Sequence, residues 1–232
     1  MEARARPRST RDRPAKAPLS EDAILDVALR ILREEGLEAV TMRRVASELE
    51  TGPASLYVYI QGRDKLRDAI RDRVTALVKL NKPDPQRWRE QVHALLGALL
   101  TAMEEHPGIA GVAVASAPTT PHTLLLAENL LGLLLAGGAS PQDAAWACDV
   151  LSLITTASAV ETDVWRSRGS PDTNRDNWVQ HLGSTFSSLP PSQFPLLTSM
   201  THELTTGTGE ERFHFAIDAF LDGMLARSHA NA

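Results

Sequence analysis

The sequence predicts an all-α protein, with a small N-terminal head joined by a linking helix to a larger helical body. Three observations carry this. Apolar residues recur at three- and four-residue spacing along most of the 232-residue chain, and no segment alternates as a strand does. Leu and Ala dominate while aromatic residues make up only 5%, which favours helix packing over sheets. Charge is unevenly divided: residues 1–80 hold 16 Lys/Arg against 13 Asp/Glu, and the remainder holds 8 against 16. The net charge of −5 therefore conceals a basic head on an acidic body, an asymmetry that suggests a nucleic-acid-facing end.

Composition also excludes several classes. The greasiest stretch, Leu124 to Ala136, is interrupted by Glu128-Asn129 and falls short of the ~18 apolar residues of a membrane span. The Arg-rich N-terminus is followed by no apolar run, so it does not read as a secretory signal. The single cysteine, Cys148, rules out an intrachain disulfide and fits a reducing cytoplasm. It reads as a small buried hydrophobe rather than a redox sensor. No Gly-x-Ser-x-Gly elbow, phosphate loop or dinucleotide fingerprint is present, and the seven histidines never fall three or four apart. The sequence therefore supports no catalysis, no helical metal pair and no cofactor.

Residues 1–18 read as a basic disordered arm, with Arg4, Arg6, Arg8, Arg11, Arg13 and Lys16 among Pro, Ser and Ala, and almost nothing apolar to bury. It is either a solvated tail or an arm that follows phosphates or a minor groove. The head, 19–66, opens with Ser20 as a cap and Glu21-Asp22 at the positive end of the first helix dipole. Ile24, Val27, Ala28, Ile31 and Leu32 then share one face, and Gly36 ends the helix. Thr41 caps a second helix whose apolar positions are Val45, Ala46 and Leu49. Thr51-Gly52 makes a turn, Pro53 takes a first helical position, and a third helix runs to about Ile60. Gln61-Gly62 breaks it. A fourth helix from Arg63 places Leu66, Ile70, Val74, Leu77 and Val78 on one face. The third segment carries the only two tyrosines of the chain, Tyr57 and Tyr59, on one turn.

The body, 67–228, follows through the linker Asn81-Lys82-Pro83-Asp84-Pro85. One helix fits Gln86 to about Glu105, with Trp88, Val92, Leu95, Leu96, Leu99 and Met103 inward. A short helical or irregular piece spans 109–117, and 118–121 is a loop. Helices fit 122–136 and 141–168, the latter with Ser140 as cap and Pro141 at its first position. A polar stretch from Gly169 to Asn174, a short helix near 176–188 and a Pro-rich stretch at 190–195 follow. The last helix, 209–227, lines up Phe213, Ile217, Phe220, Leu221 and Met224.

Residues 20–80 resemble the DNA-binding head of the TetR family of bacterial transcription regulators. The resemblance rests on Ile24-Leu25-Asp26-Val27-Ala28-Leu29, on Gly36 to Ala46, and on Ser55-Leu56-Tyr57-Val58-Tyr59-Ile60-Gln61-Gly62-Arg63-Asp64-Lys65-Leu66. The body is similar to the regulatory domain of the tetracycline-repressor branch. It shares Trp88, Glu128-Asn129-Leu130, Ser140 to Ala145, Ala159-Val160-Glu161-Thr162-Asp163 and the Phe213-x-x-x-Ile217 helix.

The resemblance implies a helix-turn-helix whose third helix lies in the major groove. Thr51, Gly52, Pro53, Ala54 and Ser55 would face base edges, and Arg43 would read a guanine. Tyr57, Tyr59, Arg63, Lys65 and Thr41 would hold phosphates. Core packing competes as a reading for Tyr57, and a plain solvated charge for Arg44. The implied partners are palindromic double-stranded operator DNA, a small-molecule effector and a second copy of the chain. The copy would dock through helices near 141–168 and 209–227. The implied location is cytoplasmic, on the nucleoid when DNA-bound.

In the tetracycline-repressor branch a histidine in the pocket binds magnesium. Gly111-Val112-Ala113 stands at the matching place here, and Leu95, Leu99 and Leu130 replace polar positions. The expectation is a largely apolar effector without metal. Candidate walls are His93, Met103, Val112, Trp146, Thr156, Glu161 and Trp165, with ordinary core packing as the competing reading for each. The leading expectation is a repressor released by that effector. The alternative is an effector-independent, nucleoid-associated DNA-binding protein.

Overall fold

The computed structural model describes residues 18–114, 117–168 and 171–230, the side chains of 171–176 and 229–230 excepted. Every regular element among the described residues is helical. Most of the basic arm lies outside the described residues. The head comprises α1 (Glu21–Glu35), a 3-10 turn (Leu37–Ala39), α2 (Met42–Glu48), α3 (Pro53–Leu56) and the first part of α4 (Arg63–Thr75). Ser20 accepts the Ala23 N–H at 3.2 Å, and Gly36 closes α1 at φ +83° with its N–H on the Leu32 carbonyl. Thr41 caps α2 by accepting the Arg44 N–H at 3.1 Å. Ile24, Ile31 and Leu32 of α1, Val45 of α2, Leu56 of α3 and Leu66 and Ile70 of α4 are completely buried and form the head's core.

Two details differ from the sequence reading. α3 ends at Leu56 rather than near Ile60, and residues 57–59 continue as a turn. Val58 and the flanking tyrosines are weak helix formers, and Gly62 at φ +104° closes the segment. Leu56 and Ile60 nonetheless stay buried, linked by the Ile60 N–H to Leu56 carbonyl bond of 2.9 Å. In α4, Leu77 is not on the buried face: the helix ends at Thr75 and Leu77 is exposed.

The body consists of α5 (Trp88–Glu104), α6 (Ile109–Val114), α7 (Pro121–Ala136), α8 (Pro141–Ser167), α9 (Pro171–Ser187), α10 (Pro195–Ser199), α11 (Thr201–Thr205) and α12 (Gly209–Ala230). The 27-residue α8 is its axis and packs against α5, α6, α7, α9 and α12. Leu96, Leu130, Leu133, Leu134, Leu151, Ala159, Ile217 and Leu221 fill the core between these helices. Gly137, at the end of α7, lets the Trp88 ring approach so closely that a Cβ there would lie 2.4 Å from it. Helix α9 starts at Pro171, several residues before the expected 176, so the polar stretch expected to run to Asn174 is already helical by then. The single turns α10 and α11 occupy the stretch between the Pro-rich segment and the last helix, where the sequence pattern predicts no element. Such turns are too short to show a period.

Helix α4 belongs to both parts. Its first half closes the head, and its second half packs on α5, α6 and α7. Asp72 of α4 accepts the backbone N–H of His122 at 2.8 Å and of Thr123 at 3.3 Å, as well as the His122 ring at 2.8 Å. One helix thus caps the N-terminus of another. Burial pushes the Asp72 carboxyl upward, but bonds from Thr120, His122 and the backbone outweigh it and hold the group low. A second junction joins α1 to the α5–α6 corner. Arg33 Nε donates to His106 Nε2 at 3.1 Å, while His106 Nδ1 donates to the Ala102 carbonyl at 2.7 Å. Beside it, Leu37 packs over Gly108, where φ is +88° and a Cβ would meet Leu37 Cβ at 2.8 Å.

Candidate nucleic-acid interface and ligand cavity

The turn between α2 and α3 is made at Glu50, whose φ of +48° is the only positive value at a described non-glycine residue. The Thr51 N–H reaches the Ala46 carbonyl at 2.9 Å and folds the chain back. Gly52 has an ordinary extended backbone, φ −80°, and open space where a Cβ would be. Its absent side chain thus clears the surface rather than permitting the turn. Gly52, Pro53 and Ala54 are exposed, and Thr51 and Ser55 are half-buried. Tyr57 is 52% and Tyr59 42% exposed, so neither is a core residue. Between them Val58 is 80% exposed, a position the sequence reading passed over. Its place inside the Leu-Tyr-x-Tyr run was the available signal.

The two adjacent arginines of α2 differ in setting. Arg43 is exposed and forms no ion pair among the described residues. Arg44 bonds Glu35 at 2.6 Å and also pairs with Glu48, which in turn holds Arg30 at 2.6 Å. Bonds from Arg30 and Arg44 lower the Glu48 carboxyl to about 2, and the bonds to Glu35 and Glu48 raise Arg44 further. Arg44 therefore ties α2 to α1. Arg63 meets Glu38 at 2.8 Å, Arg67 meets the same carboxylate at 2.9 Å, and the Arg63 bond leads in lowering Glu38. Lys65 is exposed, its Nζ 3.9 Å from Asp68. Thr41 is occupied as the α2 cap.

Between α4, α5, α6, α7 and α8 lies a cavity of about 350 Å³. Leu96, Leu99, Met103, Ile109, Leu130 and Leu131 give it an apolar wall. Arg71 and Thr75 enter from α4, Thr123 from α7, and Cys148, Asp149, Ser152 and Thr156 from α8. Burial, then Asp149, raise the Cys148 thiol, so it stays protonated. Of the seven wall residues expected from sequence, Met103 and Thr156 line this cavity, and Val112 is replaced there by its neighbour Ala113.

The remaining four face elsewhere. His93 turns toward α12, with Nδ1 2.9 Å from His214 Nδ1 and Nε2 2.9 Å from Asp218. Trp146 is 53% exposed beneath Arg227. Glu161 meets Arg212 at 3.3 Å beside a separate 520 Å³ cleft, and Trp165 packs on Trp178. The reason is helix phase: positions 145, 148, 149, 152 and 156 share one stripe of α8, which 146, 161 and 165 do not join. Arg71 and Asp149 were missed, since in sequence they resemble surface charges on amphipathic helices.

Comparison with known proteins agrees with this arrangement. Residues 24–70 match the family described as bacterial regulatory proteins, tetR family, and residues 82–228 match the tetracyclin repressor-like C-terminal domain. The HTH-type transcriptional repressor DrrR1 of Streptomyces coeruleorubidus is 27% identical over 221 residues, covering 91% of this chain and 80% of that protein. The class G tetracycline repressor protein of Vibrio anguillarum is 26% identical over 210 residues, 88% of this chain and 93% of its own. Among solved structures, apo ActR from Streptomyces coelicolor is 35% identical, covers 94% of this chain and all of its own, and superposes with a TM-score of 0.85. ActR in complex with actinorhodin gives 34% identity over 93% of this chain and all of its own, with a TM-score of 0.84. With a helix-turn-helix head, a shared α4 and a helical body around a cavity, the chain belongs to the TetR family of bacterial transcriptional regulators.

Proposed function

We propose that the protein is a homodimeric repressor that binds a palindromic operator and is released by a small, mainly apolar effector. The observation that carries the proposal is the 350 Å³ cavity roofed by α4, the helix that also closes the DNA-binding head. Its size lies within the roughly 300–1,000 Å³ of small-molecule sites. The ActR complex with actinorhodin supports a small organic effector in a body of this shape. An effector acts by its differential affinity for two states, and α4 is the element whose position would differ between them.

On the DNA side, Arg43 reads a base, because it is the α2 arginine whose charge is not taken up within the head. Tyr57, Tyr59 and Lys65 hold phosphates, and Val58 lies against the sugar or a thymine methyl. Gly52, Pro53 and Ala54 offer shape rather than hydrogen bonds, so DNA form contributes to selection. Arg44 acts indirectly by fixing α2.

The dimer forms through α8 and α12. Trp146, Leu153 and Val164 make an exposed stripe on α8, and Phe215 of α12 is 74% exposed. An effector-independent nucleoid protein, the alternative, would leave the cavity without a role. A mobility-shift assay with the promoter DNA of the protein's own gene tests the reading. A specific complex with a steep salt dependence is expected, weakened in Arg43→Ala. Binding indifferent to sequence would refute it.

A further inference from the structure

Arg71 is the one charged side chain that enters the cavity from α4, and it is only 7% exposed. Its Nη2 donates to the Ala117 carbonyl at 3.0 Å, while its Nε is buried without a hydrogen-bond partner. No carboxylate stands within ion-pair distance of it among the described residues. Asp149, also on the cavity wall, forms no ion pair with it among the described residues. A guanidinium does not shed its proton in a protein, so its positive charge persists in an apolar chamber. Among the described residues, other buried or half-buried charges are matched: Asp143 is held by Ser140, Ser228 and Arg227, Asp72 by the end of α7, and Arg67, whose Nε is likewise unbonded, by Glu38. Arg71 is an exception, and the space beside it is empty of protein.

We propose that the effector carries an acidic group, a carboxylate or an ionised phenol, on an apolar body, and that this group pairs with Arg71. The inference deepens the effector reading above and rests on it. The pairing also gives the effector a handle on the head. Arg71 follows Ile70 of the head's core and precedes Asp72, which caps α7. An anion bonded at Arg71 therefore acts on the α4 segment that joins the two parts.

The test uses two fluorescent probes with the same ring system, 8-anilinonaphthalene-1-sulfonate and the neutral N-phenyl-1-naphthylamine, with the full chain at physiological salt. The wild type should bind the sulfonate more tightly than the amine by about tenfold, as expected for a charge-assisted bond shielded from water. Arg71→Met should abolish that preference while retaining the amine. Arg71→Lys should keep part of it. Leu130→Trp, which fills the cavity, should weaken both probes. Equal affinities in the wild type, or a preference that survives Arg71→Met, would overturn the proposal. The wild-type ratio decides even if Arg71→Met does not fold. Amine binding that Leu130→Trp removes, without any sulfonate preference, sinks only the acidic group. Failure of both probes to bind at a site blocked by Leu130→Trp sinks the effector reading as well.

Discussion

Arg43 and Arg44 are neighbours in sequence with different surroundings, and the difference makes predictions at the scale of single residues. Arg43→Ala should cost about 1–3 kcal/mol of operator binding and relax selection at one base pair. Lys65→Ala should weaken binding evenly across sequences and reduce the salt slope by about one. Fluorescence anisotropy against operator variants at several salt concentrations separates the two. Glu48 supplies a pH dependence. Its carboxyl is lowered from 4.5 to about 2 by Arg30 and Arg44, so the stabilisation from these pairs is complete above 4.5 and is lost as pH falls toward 2. The wild-type Tm should therefore fall more steeply across that interval than that of Glu48→Gln, as followed by circular dichroism. Both arginines were legible in sequence as candidates. Which one is taken up inside the head was not, because Glu35 and Arg30 reach α2 from another helix.

At the scale of elements, α4 and the α7–α8 corner do most of the positioning. Gly137 has an ordinary φ of −78°, so alanine there meets no backbone strain. The obstacle is the Trp88 ring, 2.4 Å from the Cβ position. Gly137→Ala should destabilise by about 1–3 kcal/mol through overpacking, and each kcal/mol lowers Tm by roughly 2–4 °C at this size. Gly97, mid-helix with nothing within 4 Å of its Cβ, is the control: Gly97→Ala should leave Tm unchanged or raise it. Differential scanning calorimetry of the two variants checks both. Most long helices were legible from caps and apolar spacing, including the Ser140-Pro141 start of α8. The exceptions have local causes. α3 is a single turn followed by poor helix formers, and α10 and α11 are single turns.

At the scale of the whole molecule, α8 has two unlike sides. One faces the cavity, and the other carries the exposed Trp146, Leu153 and Val164. The dimer proposed above uses this exposed apolar stripe. Sedimentation equilibrium of the wild type should give twice the chain mass of 25.2 kDa, and Leu153→Arg combined with Phe215→Arg should give the monomer. The double variant should also lose operator affinity, since two heads at fixed spacing read a palindrome together. A wild-type monomer at micromolar concentration would remove the dimer from the proposal.

The helical class and the order of the head's elements are legible in the residues alone. These rest on local physics: capping, apolar period, turn residues and a charge division along the chain. Its motifs also carried the family resemblance. Packing alone settles which sides of α5 and α8 face the cavity, and so that Met103 and Thr156 line it while His93, Trp146, Glu161 and Trp165 do not. It also settles that Arg71, an unremarked charge on α4, stands buried with an unpaired Nε. A helix with apolar residues on several faces does not declare from its period which neighbour each face meets. The unmatched charge arises only where α4 packs against α6 and α7.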